Sequence, residues 1–201
     1  MQISKLIFDA DGVVLNKPAR FSDRFSQDFK MPLEKISIFF QNNYPNCALG
    51  KADLKEELGK YIKDWGWQGS AQDLLEYWLR AERHKNLQLL ETAALLQDKN
   101  INSFVASDSE KYNLALMKEK LSLGDFFTEI FSSCELGVFK SSPLFWEKVY
   151  NKLDQPEKSS VLVWDDEQEN VLAAAEFGFQ AEFFRDFETY KDLMKIKYKL
   201  L

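Results

Sequence analysis

Cysteine is nearly missing from this chain of 201 residues: only Cys47 and Cys134 occur. They are too few and too far apart for a disulfide framework or a zinc site, so free thiols and a cytoplasmic setting are expected. Long apolar runs are missing as well. No window approaches the roughly 18 uninterrupted apolar residues of a membrane span. The opening residues, Met1 to Gly12, reach Asp9 after only a few apolar positions, which excludes the charged-then-apolar pattern of a secretory leader. There is no excess of positive charge. With 26 Lys and Arg against 32 Asp and Glu, the formal net charge is −6, and a nucleic-acid partner would normally require a basic face. Internal repeats and low-complexity linkers are also absent.

What the chain does have is apolar and aromatic material. Hydrophobic residues make up 45%, including 17 Phe, 5 Trp and 7 Tyr. That is enough to bury one substantial core, or a core with a small accessory domain, and it argues against disorder. Apolar, β-rich runs bounded by polar turns lie at Leu6–Phe8, Ser103–Ala106, Ile130–Ser132, Val161–Trp164 and Ala181–Phe184. Helical spacing separates the later runs: Leu114, Met117 and Leu121; Phe145, Val149 and Leu153; and Val171, Leu172 and Ala175 ahead of Gly178. Strand–helix alternation of this kind predicts an α/β fold, a doubly wound and mainly parallel sheet with helices on both faces.

The stretch from 18 to 84 is different. It has no convincing strand. Phe21, Phe25 and Phe29 recur at helical spacing, as do Leu54, Leu58, Tyr61, Ile62 and Trp65, and a third stripe begins with Leu74, Leu75 and Trp78. A small all-helical domain at 18–84 is therefore expected as an insertion into a core formed by 1–17 and 85–201. The basic tail, 191–200, reads as a solvated helix end.

Four predicted strand ends carry reactive side chains. "KLIFDADGVV" ends a core strand with Asp9 and Asp11 one residue apart, followed by Gly12. Like charges that close are costly unless a cation or a proton-transfer role compensates. "FVASDS" brings Ser107, with Asp108 beside it. "ELGVFKSSP" brings Lys140, and "VLVWDDEQEN" delivers Asp165 and Asp166. Each has a bland reading: a turn, an Asx- or Ser-capped helix start, a solvated lysine, and an acidic first turn that suits the helix dipole. In a doubly wound sheet, however, ligands bind beyond the carboxyl ends of the strands, and all four clusters fall there, in order.

In that order they resemble the motifs of the haloacid dehalogenase (HAD) superfamily, and of its phosphatase branch in particular. The first motif, apolar residues then Asp-x-Asp-Gly-(Thr/Val), matches Phe8 to Val13. A strand ending in Ser or Thr matches Ser107, a lysine ahead of a helix matches Lys140, and an acidic pair after a strand matches Asp165 and Asp166. The resemblance implies a Rossmann-like fold in which 18–84 is a C1 cap. It also implies a Mg²⁺-dependent phosphatase acting on a small phosphorylated metabolite through an aspartyl-phosphate.

Asp9 would be the nucleophile and Asp11 the acid and then the base. Ser107 and Lys140 would hold the phosphoryl oxygens, and Asp108 would contact substrate. The Mg²⁺ ligands would be Asp9, Asp11 through its carbonyl, and Asp166, with Asp165 either a further ligand or a residue behind the ligands. Dehalogenases of the superfamily carry Tyr in place of the second Asp, so Asp11 favours phosphoryl transfer. A phosphomutase of the β-phosphoglucomutase type uses the same residues and is an alternative. So is a catalytically idle binding module, although Asp9 is intact. Lysine is followed directly by Pro in many relatives, whereas Ser141 and Ser142 intervene here, which leaves Lys111 as a second candidate for the lysine. Arg20, Arg24, Lys51 and His84 are insertion or border residues that could meet a substrate. The sequence does not identify the substrate or the oligomeric state.

Overall fold

A computed structural model describes residues 2–17, 19–81 and 83–201. Met1, Pro18 and Glu82, which the expected boundaries include, lie outside them. Strand β1 (Lys5–Asp9) leads into helices α1 (Phe21–Phe29), α2 (Leu33–Asn42), α3 (Tyr44–Ala48), α4 (Leu54–Gly59) and α5 (Ala71–Leu79). Helix α6 (Leu87–Gln97), β2 (Asn102–Ser107), α7 (Lys111–Ala115), β3 (Ile130–Ser132), α8 (Ser133–Leu136) and α9 (Pro143–Lys152) follow. The chain ends with β4 (Val161–Asp165), α10 (Gln168–Phe177), β5 (Gln180–Phe183) and α11 (Phe187–Ile196).

The strands form one five-stranded sheet in the order β3-β2-β1-β4-β5, and every pairing is parallel. Side chains alternate across it with the period of a pleated strand. Leu6, Phe8, Leu162 and Trp164 pack on one face with Leu89, Leu90, Ala93 and Leu96 of α6 and Tyr190 and Met194 of α11. Ile7, Val161 and Val163 pack on the other with Phe145, Trp146 and Val149 of α9 and Ala173 and Ala174 of α10. Because both faces are covered at β1 and β4, these central strands are near-continuous apolar runs, whereas edge strand β5 is only partly buried.

The chain leaves β1 toward β2 and β3 on one side and resumes at β4 on the other. The strand order therefore switches between β1 and β4, where Ile7 pairs with Val163 and Phe8 with Trp164. A crevice opens beyond the carboxyl ends at such a point.

Helices α1 to α5 carry a third apolar cluster of their own, in which Phe25, Ile36, Phe39, Leu58 and Leu74 are fully buried. Aromatic contacts dominate it: Phe21 stacks on Trp78 at 4.3 Å and Tyr44 on Trp78 at 5.5 Å between centroids. This helical layer touches the sheet domain through specific polar contacts. The Tyr112 hydroxyl reaches the Asp53 carboxylate at 3.0 Å, and Ser133 Oγ donates to the Ala48 carbonyl at 2.7 Å.

Three local expectations are corrected. The stripe Leu114, Met117 and Leu121 is not one helix, because α7 gives way to a π-helical turn at Leu116–Lys120 and leaves Leu121 at its end. On α10, Leu172 and Ala175 face solvent, and Val171, Ala173 and Ala174 are buried instead; small alanines let the helix lie close on the sheet. The basic tail is only partly solvated, since Met194 is buried against the core.

Candidate active site

Asp9, Ser107 and Asp165 end strands β1, β2 and β4, and Lys140 stands in the turn between α8 and α9. After β1, the chain folds back so that Val14 N–H donates to the Asp9 carbonyl at 3.2 Å and Leu15 N–H to the Ala10 carbonyl at 2.8 Å. Gly12 sits in this turn at φ +108°, and a Cβ there would fall 2.7 Å from the Asp166 Cγ. Glycine is needed twice over, for the dihedral and for the close approach of the two motifs.

Lys140 is clamped along its length. Its backbone N–H donates to the Asp108 carboxylate at 3.1 Å and its carbonyl accepts from Trp146 Nε1 at 2.8 Å. Ser142 caps α9 with Pro143 in its first turn, so the two serines after the lysine serve as a helix start. The side chain is 4% exposed, and its ammonium donates to Asp9 Oδ1 and to Asp165 Oδ2 at 2.8 Å. Lys111 pairs instead with Asp53, so of the two candidate lysines it is Lys140 that meets Asp9 and Asp165.

Asp165 ends β4 and Asp166 follows it in the turn before α10, and the two carboxylates meet different partners. Asp165 is fully buried, and both its oxygens are engaged. Oδ1 accepts from the Glu167 N–H at 2.9 Å and from Asn170 Nδ2 at 3.0 Å, and Oδ2 accepts from Lys140. Asp166 turns to the cleft, where Lys17 donates to its Oδ2 at 2.8 Å.

Asp9, Asp165 and Asp166 each offer an oxygen within 4.8 Å of the others. The Asp11 carboxylate stands outside that trio. An all-carboxylate set of this span suits a hard divalent cation; octahedral Mg²⁺, with ligands at about 2.1 Å, needs oxygens about 3 to 4 Å apart. Asp165 is the poorest donor of the three, since Lys140, Glu167 and Asn170 already occupy three of its roughly four lone-pair sites.

Burial raises the Asp9 carboxyl well above its usual range, and the Lys140 ammonium only partly opposes that. Burial also raises Asp11, against the pull of Arg83 and Lys140, and it raises Asp108. For Lys140 burial works downward, but Asp9, Asp165 and Asp108 outweigh it and hold the ammonium charged. So many acids gathered around one ammonium favour a further cation.

Ser107 ends β2, buried, with its hydroxyl bonded to that of Ser109. The helix that follows is capped by Glu110, which accepts from Tyr112 and Asn113 N–H, and not by the Ser-Asp-Ser run. Asp9, Asp11, Ser107, Asp108, Lys140 and Asp166 line a cleft of about 890 Å³ whose other wall is formed by Phe21, Phe40, Tyr44 and Trp78 of the helical layer. The Tyr44 hydroxyl is raised by burial and by the nearby Glu110 and Asp11 carboxylates.

Among the expected border residues, Arg20 lines the cleft. Arg24 donates to the Tyr77 and Trp78 carbonyls inside the helical layer, Lys51 lines a separate small cavity, and the backbone of His84 pairs with Asn16. Two cleft residues escaped sequence reasoning. Lys17 and Arg83 lie in polar segments with no periodicity, and the one available signal was a cation close to each end of the insertion.

No curated protein sequence matches the chain significantly. Solved structures do match it. A HAD family enzyme from Bacteroides thetaiotaomicron superposes with a TM-score of 0.78 at 17% identity, over 91% of this chain and 94% of that one. The same enzyme in complex with magnesium and inorganic phosphate matches at 0.77, over 94% and 98%. A 2-haloacid dehalogenase from Pseudomonas syringae pv. Tomato DC3000 matches at 0.69 and 17% identity, over 90% and 86%. At these identities the likeness is one of fold. A family model adds sequence evidence: haloacid dehalogenase-like hydrolase, matched over residues 4–178. That span runs from β1 through α10 and takes in all four strand-end motifs, so the chain belongs to the haloacid dehalogenase-like hydrolases.

Proposed function

We propose that this hydrolase is a Mg²⁺-dependent phosphatase acting on a small phosphorylated metabolite, with residues 18–84 serving as a C1-type cap over the cleft. The observation that carries the reading is the setting of Asp9, whose carboxylate has Asp166 within 4.8 Å and meets the Lys140 ammonium. Asp9 Oδ attacks phosphorus as the ester P–O bond breaks, and the leaving oxygen takes its proton from Asp11. Asp11, now a carboxylate, removes a proton from the water that attacks the aspartyl-phosphate; inorganic phosphate leaves and Asp9 is restored. Lys140 has three N–H donors. Two are used on Asp9 and Asp165, and the third is available to a phosphoryl oxygen. Ser107 contributes its hydroxyl or backbone N–H. Asp108 acts mainly by holding the Lys140 backbone.

Asp9, Asp166 and the Asp11 carbonyl would hold Mg²⁺, which when bound offsets the charge of nucleophile and phosphoryl group. Asp165 belongs with Lys140 instead. The magnesium and phosphate bound by the Bacteroides thetaiotaomicron enzyme support the same reading, and no helix among the described residues is long and apolar enough to cross a membrane. Turnover of p-nitrophenyl phosphate with Mg²⁺, lost with EDTA and lost in Asp9→Asn, is the expected result. Turnover that ignores the metal, or an Asp9→Asn protein as active as wild type, would overturn the assignment.

A further inference from the structure

The two segments that join the helical layer to the sheet run side by side as a neck. Leu15 bridges Lys85 in antiparallel pairing. The Asn16 N–H donates to the His84 carbonyl at 2.9 Å and the Asn86 N–H to the Val14 carbonyl at 2.8 Å, and Asn86 Nδ2 adds a bond to the Val13 carbonyl at 3.2 Å. This pairing fixes where the chain re-enters from the helical layer, and it holds residue 83 against the turn that bears Asp11.

Arg83 occupies that position with a side chain only 7% exposed. Arginine is almost never so buried without partners for its donors. Nη2 donates to Asn113 Oδ1 at 3.0 Å and Nη1 to the Ala81 carbonyl at 3.4 Å. Nε faces Asp11 Oδ1 at 3.6 Å. That oxygen is buried and accepts no hydrogen bond among the described residues. The pair is thus just beyond hydrogen-bond length, and a shift of under about 1 Å would close it. Asn113, on α7 after the Ser107 strand, anchors the guanidinium from the sheet side, and the neck anchors it from the helical side.

We propose that Arg83 is the positioning residue for Asp11: its guanidinium aims the Asp11 carboxyl at the leaving-group oxygen, and the neck fixes its own placement. The inference rests on the phosphatase reading and extends it to a residue outside the four motifs. Arg83 acts through Asp11, so its importance must depend on how much the substrate needs an acid. An alkyl phosphate such as glycerol 2-phosphate expels an alkoxide that requires a proton. A p-nitrophenolate leaves without one. A guanidinium that merely stabilised the neck, or bound the phosphoryl group, would serve both esters equally.

The test compares kcat/KM for the two esters, because this ratio reports only steps through the first P–O cleavage. For Arg83→Gln, the expected loss is about 100-fold on glycerol 2-phosphate, the lower range of a general acid's contribution, and less than about five-fold on p-nitrophenyl phosphate. Arg83→Lys should recover part of the alkyl ester rate. Asn113→Ala, which keeps the arginine but removes its anchor, should show the same selectivity at about ten-fold, and it carries the test if Arg83→Gln fails to fold. Equal losses on both esters, or no loss, would overturn the inference while leaving the phosphatase intact. A wild-type protein that turns over neither ester with Mg²⁺ would overturn both.

Discussion

Replacing Lys140 with methionine keeps much of the side-chain volume and removes the one ammonium shared by two buried carboxylates. At 2.8 Å from Asp165 Oδ2, with an effective dielectric constant of about 20, its attraction to that group is about 6 kcal/mol. The contact with Asp9 adds a comparable amount. Desolvating the ammonium offsets much of this, at several kcal/mol per buried ion. After substitution the lysine's cost disappears, but Asp165 and Asp9 are left buried without their counter-charge. Breaking such a group from one side costs about 3 to 5 kcal/mol. Urea unfolding in EDTA, where no metal can substitute, should show that loss for Lys140→Met. The double variant Lys140→Met/Asp165→Asn removes one orphaned charge while keeping a carbonyl oxygen for the Glu167 and Asn170 donors. It should recover about 1 to 2 kcal/mol of the loss. A single variant within about 1 kcal/mol of wild type, or a double variant whose cost equals the sum of the two singles, would refute the reasoning. In turnover, Lys140→Met should lose about 100- to 1,000-fold in kcat, the range for deleting one donor to a developing charge.

Other outcomes follow from the same geometry. Gly12→Ala places a methyl against the Asp166 carboxylate at a left-handed φ; it should destabilise the fold by about 1 to 2 kcal/mol for the dihedral alone and raise the Mg²⁺ concentration needed for half-maximal turnover. Lys17→Met frees Asp166 from an ion pair whose lysine is more than half exposed, so the Mg²⁺ requirement should fall, by no more than about five-fold because such pairs are worth about 1 kcal/mol or less; a higher requirement would contradict this. Phe25, fully buried among the rings of the helical layer, should cost about 3 to 5 kcal/mol in thermal or urea unfolding when changed to Ala.

The sheet was legible because both its faces are buried. A strand covered on both sides reads as a near-continuous apolar run, and each of the five predicted runs lies within a residue or so of an observed strand, although edge strand β5 is only partly buried. The strand-end placement of Asp9, Ser107 and Asp165 was legible for a related reason, since a parallel sheet carries its polar groups where the apolar run stops, whereas Lys140 stands further on, past α8. Less was readable wherever placement depends on neighbours remote in sequence. Asp165 and Asp166 are adjacent and chemically identical, yet one is held by Lys140, Glu167 and Asn170 and the other meets the cleft. Leu172 looked like core by its apolarity, but packing of α10 on the sheet required the small Ala173 and Ala174 inward. Arg83 gave no periodic signal because its partners, Asp11 and Asn113, come from distant turns. Nothing in the sequence pointed to the contact between the Ser107 and Ser109 hydroxyls.

A crystal structure with Mg²⁺ and beryllium trifluoride, a mimic of a phosphoryl group on a carboxylate, tests the central claim most directly. The account predicts beryllium attached to an Asp9 oxygen, Mg²⁺ shared by Asp9 and Asp166, and Lys140 in reach of a fluorine. Beryllium on another side chain, or a metal held without Asp9, would contradict it.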